Sequence, residues 1–151
     1  MRIPAGNAYS KVEVGVCFEH ALTVTETHLV TAAGLFGDFN PLHVDEEFAA
    51  KSRYGTRVLH GPFTAALMAT SVGLFFSGTA IGYLEHCCRF TAPVRPGDTL
   101  TTCWTVVGKE DKPRHQGGII ELEAVCRNQE GIDVANGEGR VLVGEGEMVV
   151  A

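Results

Sequence analysis

The run Pro62-Phe63-Thr64-Ala65-Ala66-Leu67-Met68-Ala69-Thr70-Ser71-Val72-Gly73-Leu74-Phe75-Phe76 limits the possible folds more than any other stretch of this chain. It carries no charge and no polar stripe, so a helix made from it has no face reserved for water and is expected inside the domain core. It is also shorter than the roughly 20 apolar residues that a membrane span needs. Pro62 suits the first helical position, where a backbone N–H would have no partner anyway. A chain of 151 residues is long enough to bury such a helix within one domain, residues 1–151, without covalent staples.

What surrounds the helix follows from the change of period after it. Leu84 to Val94, Thr99 to Val107, Ile119 to Arg127 and Ile132 to Val143 read as strands, the last one broken near Asn136-Gly137. Gly108 to Gly118 reads as a polar loop, and Arg95-Pro96-Gly97-Asp98 and Asn128-Gln129-Glu130-Gly131 as turns. Strands that follow one another through short links pair antiparallel. The expected class is therefore α+β, with one apolar central helix and a curved antiparallel sheet wrapped round it.

Upstream, Val12, Val14, Val16 and Phe18 alternate as in an extended segment. Thr25 is placed to cap a helix with Glu26 in its first turn, Leu29, Ala32, Ala33 and Phe36 on one face, and Gly37 just past its end. Asp45 is placed to cap a second short helix that Tyr54-Gly55 ends, and Thr56 to Leu59 reads as extended.

Between the two helices lies Gly37-Asp38-Phe39-Asn40-Pro41-Leu42-His43-Val44-Asp45. Asp38 and His43 are five positions apart across a turn, close enough to converge on one water molecule. A carboxylate and an imidazole so placed have the proton acceptor and donor that adding or removing water across a C=C bond requires. Gly61, at the start of the apolar helix, offers a backbone N–H to an oxyanion. On residue types alone, a rigid turn built from Asp, Asn and Pro explains the loop equally well, and Gly61 equally suits a tight turn before Pro62.

A net charge of −6 and the lack of a basic run argue against nucleic acid as a partner. Lys109, Lys112 and Arg114 form a small basic cluster that could meet a phosphate or simply be solvated. The five cysteines include no Cys-x-x-Cys pair, and the adjacent Cys87 and Cys88 would face opposite sides of a strand. They are expected to be buried free thiols rather than a zinc site. Met1 to Ser10 has no apolar core of a signal peptide, so the cytoplasm is the expected compartment.

The segment GDFNPLHVDEEFAAKSRYGTRVLHGPF resembles the signature of MaoC-like dehydratases, a hot-dog-fold group that includes (R)-specific enoyl-CoA hydratases. The shared elements are Asp-x-Asn-Pro-x-His, a following Asp, Phe-Ala, a Gly-containing turn and His-Gly; the later Ala92 to Asp98 is also similar. The resemblance implies a long helix wrapped by an antiparallel sheet and a homodimer or an assembly of dimers. It implies an acyl-CoA thioester substrate and no metal or redox cofactor. Asp38 and His43 become the dyad that activates water for syn addition to a trans-2-enoyl thioester. Gly61 becomes the oxyanion-hole donor, and Asn40 supports the loop. Two positions depart from the pattern: Ala69 stands where some members carry Ser, and Pro62 where Met is usual. A hot-dog thioesterase and a non-catalytic acyl-thioester-binding subunit are the alternatives. The first fits less well, because Pro62 to Phe76 has no carboxylate.

Overall fold

The computed structural model describes residues 6–146. In chain order it has a strand β1 (Cys17–Thr23), helices α1 (Glu26–Phe36), α2 (Pro41–Val44), α3 (Glu46–Ala50) and α4 (Gly61–Phe75), then strands β2 (Ala80–Phe90), β3 (Thr99–Lys112), β4 (Gly117–Arg127) and β5 (Asp133–Gly144). The five strands form one antiparallel sheet in the order β1-β3-β4-β5-β2, with β1 and β2 at the edges. The short helices and α4 all precede β2, and β1, the first strand, pairs with β3 at one edge of the sheet. No helix among the described residues is long and apolar enough to cross a membrane.

The apolar helix seats on the sheet through residues one turn apart. Met68, Val72 and Phe76 join Trp104, Ala124, Cys126 and Val134 in one buried cluster. The Trp104 indole N–H donates to the Met68 carbonyl at 2.9 Å, satisfying the ring's polar edge inside the core. Gly137 lies under this contact: a methyl there would meet Met68 Cε at 3.0 Å and the Trp104 ring at 3.4 Å. The Asn136-Gly137 pair therefore marks close approach of helix to sheet and not the expected strand break, and β5 pairs without interruption on both sides of it.

Three other expectations change. Only Thr64, Met68, Ser71 and Val72 of α4 are buried, while Pro62, Ala66, Thr70, Gly73 and Leu74 face outward. The chain's own sheet covers one side of the helix, so its uniform apolarity has a second, uncovered face. The segment expected as a loop over Gly108 to Gly118 instead extends the β3–β4 hairpin, with Glu110 opposite Ile119 and Lys109 opposite Ile120. Lys109 is tied down there by the Tyr9 and Val12 carbonyls, so cross-strand pairing overrides the segment's polar composition. Of the cysteines, all free, Cys126 is buried but Cys17 and Cys87 are exposed. Cys87 and Cys88 do face opposite sides, with Cys88 Sγ 3.7 Å from Met68 Sδ.

Trp104→Ala removes both the largest buried side chain and the helix-to-sheet hydrogen bond. Urea unfolding should show a loss of about 3–5 kcal/mol; a loss below about 1 kcal/mol would show that the core refills the space.

Candidate active site

The loop gets its shape from side chains bonding to nearby backbone. α1 ends at Gly37, whose φ of 69° is the left-handed conformation that glycine adopts without strain. Asp38 Oδ1 then accepts the Asn40 N–H at 3.1 Å, and Asn40 Oδ1 accepts the Leu42 N–H at 3.0 Å. Asn40 thereby caps α2, a single turn opened by Pro41 that the expected loop did not include. Asp45 caps α3 by accepting the Phe48 N–H at 3.0 Å. That helix ends at Ala50, before the expected stop at Tyr54-Gly55.

These turns bring the predicted pair together. Asp38 Oδ2 stands 3.9 Å from His43 Nε2, too far for a direct hydrogen bond. His43 Nδ1 lies 2.7 Å from the Val58 carbonyl, which can only accept, so Nδ1 carries the proton and, in the neutral imidazole, Nε2 presents a lone pair. The carboxylate and Nε2 are thus two acceptors across a short gap, each able to take one O–H of a single bridging water. His60, 1% exposed, donates from Nε2 to the Asp38 carbonyl at 2.9 Å and stacks on His43 with ring centroids 3.7 Å apart.

Gly61 is the first residue of α4, so its N–H has no acceptor within the helix. It shares with His43 a pocket of about 360 Å³, also lined by Arg53, Leu59, Thr64 and Phe90. Phe90 lies directly against it: a methyl at Gly61 would meet that ring at 2.9 Å. Thr64 and Phe90 were missed from the sequence. Thr64 could have been found, since it is three residues beyond Gly61 on the same helix face; Phe90 could not, because only the fold brings β2 there. Leu67, Met68, Phe75, Phe76 and Trp104 are not in the lining of this pocket; they belong to the core cluster or pack against it. A larger depression of about 880 Å³, with Arg89, Cys103, Glu123 and Glu138 in its lining, lies on the sheet face away from α4 and holds none of the predicted groups.

Lys112 pairs with Glu110, and Lys109 is held by backbone carbonyls, so the basic cluster seen in the sequence is largely engaged at home. Thr70 and Ser71 bond back to the carbonyls of Ala66 and Met68. One ligand atom each from Asp38, His43 and His60 lies within 4.8 Å of the others, the donor types of a two-His, one-carboxylate metal site. The two imidazoles, however, are stacked with planes only 26° apart, so their in-plane lone pairs run side by side more than they converge. That arrangement favours a shared water over a shared ion.

A family model described as a MaoC like domain matches residues 8–125. The chain belongs to the MaoC-like dehydratase family. An (R)-specific enoyl-CoA hydratase of Rhodospirillum rubrum is 30% identical over 89% of this chain and 90% of its own length. A 3-hydroxybutyryl-CoA dehydratase of Methylorubrum extorquens is 36% identical over 61% of this chain and 59% of its own. Among solved structures, the unliganded R-hydratase PhaJ1 of Pseudomonas aeruginosa superimposes with a TM-score of 0.81 at 30% identity, covering 95% of this chain and 90% of that one. The MaoC-like chain has the hot-dog architecture expected of it: a long helix packed on a five-stranded antiparallel sheet.

One ion-pair cluster holds α1 and α3 on either side of the loop. Arg57 reaches Glu26 of α1 and Glu46 of α3, both at 2.9 Å. Hydrogen bonds from Arg57 and then Thr56 keep the Glu46 carboxyl below its ordinary value. Its stabilising contribution is therefore full above the ordinary carboxylate range and is lost as pH falls through the lowered value. Arg57→Ala should lower the thermal midpoint at neutral pH, and the gap from the parent should shrink on acidification and in high salt. A gap independent of both would rule out the charge pairing as its source.

Proposed function

We propose that this protein catalyses the reversible hydration of a trans-2-enoyl-CoA to an (R)-3-hydroxyacyl-CoA, or the reverse dehydration. The observation that carries this reading is the 3.9 Å gap between two hydrogen-bond acceptors, Asp38 Oδ2 and His43 Nε2, beside a pocket that also contains Gly61. The relatives named for hydration and dehydration of acyl-CoA thioesters support the substrate class.

In this mechanism a water molecule donates one O–H to each acceptor. Asp38 takes a proton as the water oxygen bonds to the β-carbon and the π electrons move toward the thioester. The carbonyl becomes an enolate oxygen, which the Gly61 N–H and the positive end of α4 stabilise. Asp38 then returns the proton to the α-carbon on the same face, giving syn addition and restoring the carboxylate. His43 keeps the water oriented through its second O–H. The reaction is redox-neutral, and these groups supply each of its proton transfers. Asn40 acts only through the loop, by capping α2.

A thioesterase reading is disfavoured because α4 carries no carboxylate. We propose also that the protein works as a homodimer. Among the described residues, strand β2 pairs on one side only, with β5, and bears exposed Leu84 and Phe90, and α4 leaves a row of small and apolar residues uncovered.

With crotonyl-CoA, loss of the enoyl absorbance without release of free thiol is the expected result. Release of thiol without hydration would indicate a thioesterase, and silence across several chain lengths would indicate a binding subunit. Asp38→Asn should lower kcat by about a hundredfold or more; near-parental hydration by that variant would remove Asp38 as the base. Sedimentation should give the mass of two chains or a multiple of it.

A further inference from the structure

We propose that His60 is the positioning residue that sets the gap between Asp38 and His43. For its kinetic consequence this rests on the hydration reading above; for its structural consequence it does not.

Three contacts meet on one imidazole. Its Nε2–H holds the Asp38 backbone carbonyl at 2.9 Å, fixing the residue that carries the carboxylate. Its face lies against the His43 ring at 3.7 Å, so it limits how far His43 can tip out of its own plane. Its own backbone is the N-cap of α4, so the next N–H along the chain is that of Gly61. Phe36, from the end of α1, packs edge-on against the ring at 5.8 Å and completes the enclosure. The carboxylate, the water-orienting imidazole and the oxyanion donor are thus referred to a single residue, although residues 38 and 60 are far apart in sequence.

A further observation separates this role from packing. Among the described residues, His60 Nδ1 is buried and has no hydrogen-bond partner. An orphaned buried nitrogen is destabilising, and a phenylalanine would fill the same space without it. Since Asp38 O can only accept, Nε2 must carry the proton, and the unmatched Nδ1 follows from that bond. The site retains a donor here at a cost in stability.

Two variants divide the two halves of the role. His60→Gln places an amide N–H the same number of bonds from Cα as Nε2, keeping the donor and losing the ring. His60→Phe keeps the ring and loses the donor. With crotonyl-CoA, His60→Phe should lower kcat by about a hundredfold with KM changed by less than about threefold, while His60→Gln recovers at least about a tenth of parental kcat. The Tm of His60→Phe should match or exceed the parent's. Crystal structures of both variants supply a readout independent of activity. The Asp38 Oδ2 to His43 Nε2 separation should depart from 3.9 Å in His60→Phe and be kept in His60→Gln. Full kcat in His60→Phe, a loss that merely follows unfolding, or an unchanged separation in that variant would each overturn the proposal. If the parent hydrates no enoyl thioester, the functional reading fails and the separation alone decides the positioning role.

Discussion

The hydrogen bond from the Trp104 indole to the Met68 carbonyl fixes where the long helix sits on the sheet, and the rest of the molecule is placed from there. Apolar packing alone would let a uniformly hydrophobic helix slide or rotate, because burial is non-directional. A single directed bond in a dry core resolves that degeneracy, and Gly137 beneath it removes the side chain that would hold the two layers apart. Once Met68 is fixed, so are the points two turns earlier, where Gly61 begins the helix, and one turn earlier, where Thr64 enters the pocket.

The loop is joined to this frame at few points. Val58 gives its carbonyl to His43 and its N–H to Leu42, and Leu59 donates to Val94. The strand-like stretch before α4 therefore carries the loop on one side and the sheet's connecting segment on the other. Arg57, next to Val58, joins the two flanking helices through carboxylates of opposite origin. Both electrostatic ties are partly solvated, so their strength is modest; their value is in direction, since each resists a different motion of the loop.

Much of this was legible in the sequence, and the division follows the range of the interactions. The limits of α1 could be read from Thr25 and Gly37 because capping depends on the backbone beside it. Asp38 and Asn40 were legible because short side-chain-to-backbone bonds place them, His43 because it lies in the turn that Asn40 caps, and Gly61 because it opens the helix by position. The length of the β3–β4 hairpin was not legible, since Glu110 and Lys109 are strand residues only through their partners Ile119 and Ile120. Nor was the one-sided burial of α4: an apolar sequence records that a face is to be covered without recording by what. The pocket wall at Phe90 depends on where an edge strand ends, which no local pattern encodes.

The ties that shape the site differ widely in chain separation. Those of Asp38, Asn40 and Asp45 span two or three residues, whereas His43 to Val58 spans 15 and Asp38 to His60 spans 22. Closing a long segment carries an entropic cost that short turns largely avoid. The bend itself is thus nearly self-contained, but the spacing across it is leased from the tertiary fold. Partial loosening of the helix from the sheet would leave a loop of familiar outline whose two acceptors no longer stand 3.9 Å apart, so that local shape outlasts spacing as order is lost.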